Sequence, residues 1–455
     1  MPARNLRLFL WLFIVALLFE AAALAADSGQ VLDATKMGVV GDGATVNTTA
    51  IQKAIDACSA SGGGVIQFTA GKYVTGTIQL KDNVTLRLEE NAVLLGSTNA
   101  ADYRNVDPFI AGDGVALGYA LIVAQGADHV GVEGAGTIDG RGAELKAAQS
   151  RYTVRPFLMR WLRCAKVTVR EVHLTNPGAW TLNFFQTHDA IVEHVTIRTR
   201  HTGLINNDGI DLDSCERVAI RGCDIDSGDD ALCFKATSPL PCRDITASNC
   251  KLSTKCNAIK LGTESLGDFE NISVANCQLQ DVGLSGIALN SVDGAHLHDV
   301  SIEDITMDGV SVPVFMRLGA RLKTFRPGDQ SKGPGILRDV TIKNVNAKGA
   351  RRIGVLISGI PEHPIESITL ENVRAELPGG GKPAEGQVQL PEKESAYPEY
   401  NMFGRVLPAY GIYARHVRGV TFKNVQMITS QPDARGRAVL VDVEGVRDFL
   451  EPPVK

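Results

Sequence analysis

The chain has 455 residues, 44% of them hydrophobic and 21% charged, which is enough apolar material for a large core and argues against disorder. Its 46 basic and 51 acidic residues leave a formal net charge of -5, too weak a field to gather nucleic acid or an anionic membrane. An acidic polymer would have to be received by local cations.

At the N-terminus, Arg4 and Arg7 precede an apolar run from Leu8 to Phe19, followed by small residues that include Ala23-Leu24-Ala25. This order predicts a secretory signal peptide over residues 1–25, with residues 26–455 as the mature chain, secreted or periplasmic. An uncleaved anchor is the alternative reading. No Cys stands directly after the cleavage site, which argues against a lipoprotein, and no later stretch reaches the ~18 apolar residues a membrane span needs, so no membrane contact is expected after cleavage. Next, Asn47-Thr48-Thr49 opens a segment with Ile51, Ile55 and Cys58 at helical spacing, closed by Gly62-Gly63-Gly64. It reads as a capped amphipathic helix lying over the first repeat.

From there a strand pattern recurs, apolar-x-apolar-x-x-apolar-x-apolar. It starts at Val167 and again at Val218, Ile245, Ile272, Val300, Val340, Ile368 and Val420, with intervals of 27, 27 and 28 residues from 218 to 300. Period two means strand, and a fixed period of this length means stacked units. The fold predicted is all-β, a single-stranded right-handed parallel β-helix with an N-terminal capping helix. The last interval, 368 to 420, holds a Pro- and Gly-rich stretch, 378–408, expected to form a long loop beside the solenoid. Nine Cys is an odd number, so at least one is unpaired, and Cys223, Cys250 and Cys277 share one repeat position. These three are expected as a buried apolar ladder rather than a metal site; a Cys233 to Cys242 bridge stays open.

A second pattern, small-apolar-x-apolar, begins at Gly209, Ala231, Ala258 and Gly286, which places Asp208, Asp230, Asn257 and Ser285 in one register with Asp229 beside Asp230. Coils stack about 4.8 Å apart, so three carboxyls crowd together. Crowding separates their pKa values, as acid/base cleavage of a glycosidic bond requires. Asp also suits turns beside Gly209 and Gly228, and clustered oxygens also suit calcium. The reading adopted takes Asp208, Asp229 and Asp230 as catalytic, with no cofactor and no metal.

The run from Asn206 to Ala236, NNDGIDLDSCERVAIRGCDIDSGDDALCFKA, resembles the Asn-x-Asp and Gly-x-Asp-Asp signatures of glycoside hydrolase family 28, the polygalacturonases and their relatives. Lys36 to Gly43 and Gly62 to Tyr73 resemble the start of such pectin-acting β-helices. The resemblance implies inverting hydrolysis, with Asp229 as general acid and Asp208 and Asp230 holding and deprotonating the water. Two departures stand out. The family's Gly-His-Gly element falls in the region from Lys255 to Glu264, which holds no His, leaving Asn257 or Lys260 to replace it. Its Arg-x-Lys pair falls at Ala288 and Asn290, so a carboxylate contact would have to come from Arg317, aligned with Ala288 one coil on, together with Lys260 or Arg321. Otherwise the sugar there is neutral. Asn206, Asn257, Lys260, Glu264 and Arg317 are the expected substrate-binding residues. Trp180 is a candidate sugar platform or a core aromatic, and His188, His194 and His201 have no metal-ligand spacing.

The expected function is an exported, monomeric glycoside hydrolase acting on pectin-type polysaccharide or oligosaccharide. A calcium-dependent pectate lyase and a noncatalytic polysaccharide-binding β-helix are the alternatives.

Overall fold

The computed structural model describes residues 30–449; the predicted signal segment lies outside them. The chain winds as a right-handed parallel β-helix. Val218, Ile245, Ile272, Val300, Val340, Ile368 and Val420 form one unbroken ladder, each paired with the next coil. The interval from Val167 to Val218 contains a further coil, His188–Glu193, in which Ala190 takes the repeat position. Alanine there made that coil invisible to an apolar pattern.

The inward positions of the adjoining sheet, Leu212, Phe234, Leu261, Leu289, Met316 and Ile357, stack in register and are fully buried. Each such side chain contributes about 1.5–3 kcal/mol of burial, repeated coil after coil. Between coil strands the chain turns sharply at residues with φ near +55°, among them Asn249, Asn276, Asp304, Asn344, Asn372 and Asn424. Asn and Asp tolerate that region best. Asn344, Asn372 and Asn424 also bond one another and Asp304 in a column, at 2.8–2.9 Å. Cys223, Cys250 and Cys277 are about 1% exposed and occupy consecutive rungs, and all nine cysteines are free thiols.

The helix Thr48–Ala60 lies over the first coils and buries Ile51, Ala54, Ile55 and Cys58. Its cap differs from the expected one. Asn47 turns its side chain back to Val40 and Thr45, while the Thr48 hydroxyl accepts from the Gly76 N–H at 2.7 Å. Two excursions cover the outer face of the sheet that carries Asp211. The antiparallel hairpin Arg104–Ile110 and Ala116–Gln125 lies at one end. Segment 378–408 lies at the other, where Leu390, Tyr400, Phe403 and Leu407 pack on Ala288, Phe315 and Leu356.

Candidate active site

Asp208 stands in the turn that enters the strand Ile210–Asp213, and Asp230 in the equivalent turn before Leu232–Ala236. The strands pair Ile210 with Leu232, so the two aspartates occupy one register on adjacent coils, with Asn257 and Ser285 on the next two. Gly209 is required between them: a Cβ there would lie 2.4 Å from the Ala231 carbonyl oxygen. Asn207, fully buried, fixes the turn, donating to the Ala179 carbonyl at 3.3 Å and accepting from Thr202 at 2.6 Å.

The three carboxyls have different surroundings. Asp230 is 3% exposed. Its Oδ1 accepts from the Asn257 N–H and Nδ2 at 2.9 and 2.8 Å, and its Oδ2 from Lys260 Nζ at 2.9 Å. Burial pushes Asp230 up, but Lys260, Lys235 and these bonds outweigh burial and hold it below the usual carboxylate range. Asp229 is only partly buried, accepts from the Asn206 and Asp230 N–H groups at 3.3 and 3.0 Å, and is pushed up by burial and then by Asp230. Asp208 is raised well above the ordinary value, by burial and then by Asp211, and its Oδ1 has no protein partner.

Sequence reasoning missed four members of this cluster. Lys235 sits among Asp208, Asp211 and Glu264 at 3.4, 3.4 and 3.5 Å. Asp211, fully buried, is raised to about 7 by burial opposed chiefly by Lys235. Glu399 and Tyr397 come from segment 378–408. Glu399 accepts from Lys260 and Asn257, both at 3.1 Å, and the Tyr397 ring lies 5.6 and 5.7 Å from the Lys260 and Arg321 charges. Outward-facing Asp211 and Lys235 on otherwise apolar strands were a readable signal. Glu399 and Tyr397 left none.

The predicted Asn257 and Lys260 both touch Asp230. Asn206 reaches the site through the Asp229 contact and also bonds Arg155 and Asp113 at 2.9 Å each. Glu264 accepts the Gly112 N–H at 2.7 Å. Burial raises it, but Lys235, Arg321 and that bond bring it down to about 2.

Arg317 requires correction. It pairs with Asn290, while Phe315 pairs with Ala288. Its guanidinium is 1% exposed and spent on Ser358, Gly359 and the Glu392 and Lys393 carbonyls at 2.7–3.5 Å, so it anchors segment 378–408 and has nothing left for a sugar. Trp180 lies in the register of Asp208 as expected, but is 2% exposed among Phe109 and Phe157 with Lys235 Nζ 4.3 Å from its ring, and so offers no open platform.

Two groups bring potential metal ligands within 4.8 Å of one another: Asp208, Asp230 and Cys233, and Asp229, Asp230 and Cys256. In both, the Lys260 ammonium already occupies Asp230, and a second cation there would meet its repulsion. One carboxyl held below the ordinary range beside another pushed above it is the separation that general acid/base hydrolysis of a glycoside uses.

Comparisons with known proteins agree. A probable polygalacturonase of Vitis vinifera is 27% identical over 406 residues, covering 81% of this chain and 78% of the relative. An endo-polygalacturonase of Pectobacterium carotovorum subsp. carotovorum is 25% identical over 384 residues, 78% and 92% of the two chains. Among solved structures, the family 28 exopolygalacturonase of Yersinia enterocolitica superposes with a TM-score of 0.73 at 19% identity, covering 94% of this chain and 79% of that one, a likeness of fold. The model of the glycosyl hydrolases family 28 matches residues 58–395, the stretch that holds the whole aspartate cluster, and the chain belongs to that family of glycoside hydrolases.

Proposed function

We propose that the protein is an exported hydrolase that cleaves pectin-type polysaccharide or oligosaccharide with inversion. One observation carries the hydrolase reading: Asp208 and Asp230 bring carboxylate oxygens within 4.8 Å of each other on adjacent coils, with Asp230 held below the usual carboxylate range and neighbouring Asp229 pushed above it, while inversion is what the resemblance to family 28 implies. Asp229 gives its proton to the leaving glycosidic oxygen. A water oriented by the unpartnered Asp208 Oδ1 adds to the anomeric carbon and loses a proton to Asp230, the carboxylate held ionised. The C–O bond breaks with consumption of one water, and the starting state returns as Asp230 releases its proton to solvent and Asp229 takes one up. The galacturonan named for the relatives is the substrate class tested first. The basic and apolar N-terminal segment supports export, and among the described residues no helix is long and apolar enough to cross a membrane. Monomeric action is part of the proposal, since the solenoid brings its own capping helix.

The test is reducing-end release from polygalacturonate and from rhamnogalacturonan, with a chelator present, for wild type and Asp229→Asn. Loss of a general acid lowers the rate by roughly 10²–10⁴-fold. Release that persists in the variant removes the catalytic assignment, and release abolished by chelator alone supports calcium-dependent elimination.

A further inference from the structure

The outward column over the site sheet, Asn183, Asp211, Cys233, Lys260, Ala288, Phe315, Leu356 and Tyr413, is nowhere more than 3% exposed. A polymer cannot lie on that face. The turn rim beside it is more open: Asp229, Cys256 and Leu284 are partly exposed, Ser311 is buried, and Arg352 is exposed. These five hold the same turn position on successive coils, one residue before Asp230, Asn257, Ser285, Val312 and Ile353. Four coil steps place Arg352 about 19 Å from Asp229 along the axis.

At Arg352 the rim opens into a cavity of about 230 Å³ lined by Arg352, Tyr400, Asn401, Gly404, Arg405 and Leu407. None of the six is acidic. Among the described residues, neither the Arg352 nor the Arg405 guanidinium has a hydrogen-bond or ion-pair partner. The neighbouring Arg351, by contrast, spends its guanidinium on Gly309, Val282 and Ser311. Two unpartnered guanidinium forks with an aromatic and an amide in one recess suit a sugar carboxylate, which a guanidinium binds in bidentate fashion.

We propose that this recess is a distal subsite for the carboxylate of an acidic sugar, several residues along a chain that runs on the turn rim from Asp229. It rests on the glycanase reading above. It gives the protein an anion contact far from the cleavage point, where Ala288 and Asn290 supply none.

The experiment compares wild type with the double variant Arg352→Ala/Arg405→Ala on hexagalacturonate and trigalacturonate. KM for the hexamer is expected to rise roughly three- to tenfold, the range for partly exposed charge pairs, with kcat and all trimer constants unchanged. The difference should shrink as salt is raised. Unchanged hexamer constants, or equal losses on both oligomers, would overturn the proposal. If wild type hydrolyses neither, the catalytic reading fails by itself. Calorimetric binding of hexagalacturonate to wild type and the double variant then decides the subsite, and equal affinities sink it.

Discussion

Replacing Lys260 with methionine tests the electrostatic logic of the site directly. Lys260 Nζ lies 2.9 Å from Asp230 Oδ2, with the two side chains only 3% and 5% exposed, so water screens little of the interaction. Hydrogen bonds to charged groups contribute about 1.5–3 kcal/mol, and this one favours the ionised form, so the ammonium is the largest of the groups that hold Asp230 below the usual carboxylate range. Asp230 acts ionised, so activity is present above its folded pKa and is lost as pH falls through it. Lys260→Met removes the largest cation holding that value down, and the acidic limb of kcat/KM should move to higher pH. Asp229, which acts protonated and also feels Lys260, should carry the basic limb upward by less. The assay is a pH profile of reducing-end release, with thermal unfolding as a control, since opening a buried pair costs about 3–5 kcal/mol. A folded variant whose acidic limb stays in place would refute the reasoning.

Asp211→Asn should change stability in a pH-dependent way. The Asp211 carboxyl is raised to about 7 by burial, so the folded chain holds a proton that the unfolded chain releases near pH 3.8, and wild type loses stability between those values. The melting temperature of the variant relative to wild type should climb from pH 4 to pH 7 and then level; a constant difference across that range would sink the idea. Arg317→Ala should cost about 2–5 kcal/mol by orphaning buried carbonyls, and should expose segment 378–408 to limited proteolysis while Arg317→Lys does so less. Equal nicking of both variants and wild type would contradict the anchoring role. Thiol titration of the protein unfolded without reductant should count nine thiols, and a lower count would show bridges where the fold places free cysteines.

The solenoid was legible because a stacked coil repeats one physical problem: an inward apolar strand position and a turn that tolerates positive φ. Val218, Ile245 and Ile272 solve it identically, so spacing alone finds them. Ala190 solves it with a smaller side chain and escaped. Arg317 shows a different limit. Side chains alternate with period two, so sliding the alignment by two residues keeps Arg317 on the outer face in either register. The ladder pairs Arg317 with Asn290 after a one-residue shift between Val282 and Ser285, which equal spacing of the repeats does not reveal.

The site itself divides along the same line. Asp208, Asp229, Asp230, Asn257 and Lys260 lie on consecutive coils, and their meeting follows from register. Glu399 is 139 residues from the Lys260 it bonds and lies in a segment without periodicity, so nothing local announces it. Yet its contribution changes the chemistry. Among the described residues, six carboxyls, Asp208, Asp211, Asp229, Asp230, Glu264 and Glu399, crowd around the ammonium groups of Lys235 and Lys260, while Arg321, which also lowers Glu264, is paired with Asp293. Such a cluster cannot ionise fully, and the charge must be shared out by position. Lys260 favours ionised Asp230, Lys235 favours ionised Glu264, and Asp208, Asp211, Asp229 and Glu399 are pushed above their ordinary values. With no histidine between Lys255 and Glu264, where the resemblance to family 28 implies one, this sharing pushes Asp229 up beside an Asp230 held down. Glu399→Gln removes a negative charge from Lys260 and Asp230, so it should lower Asp230 further and extend the acidic limb of the rate profile downward. A limb that moves upward instead would show that Glu399 acts by holding Lys260 in place rather than by its charge.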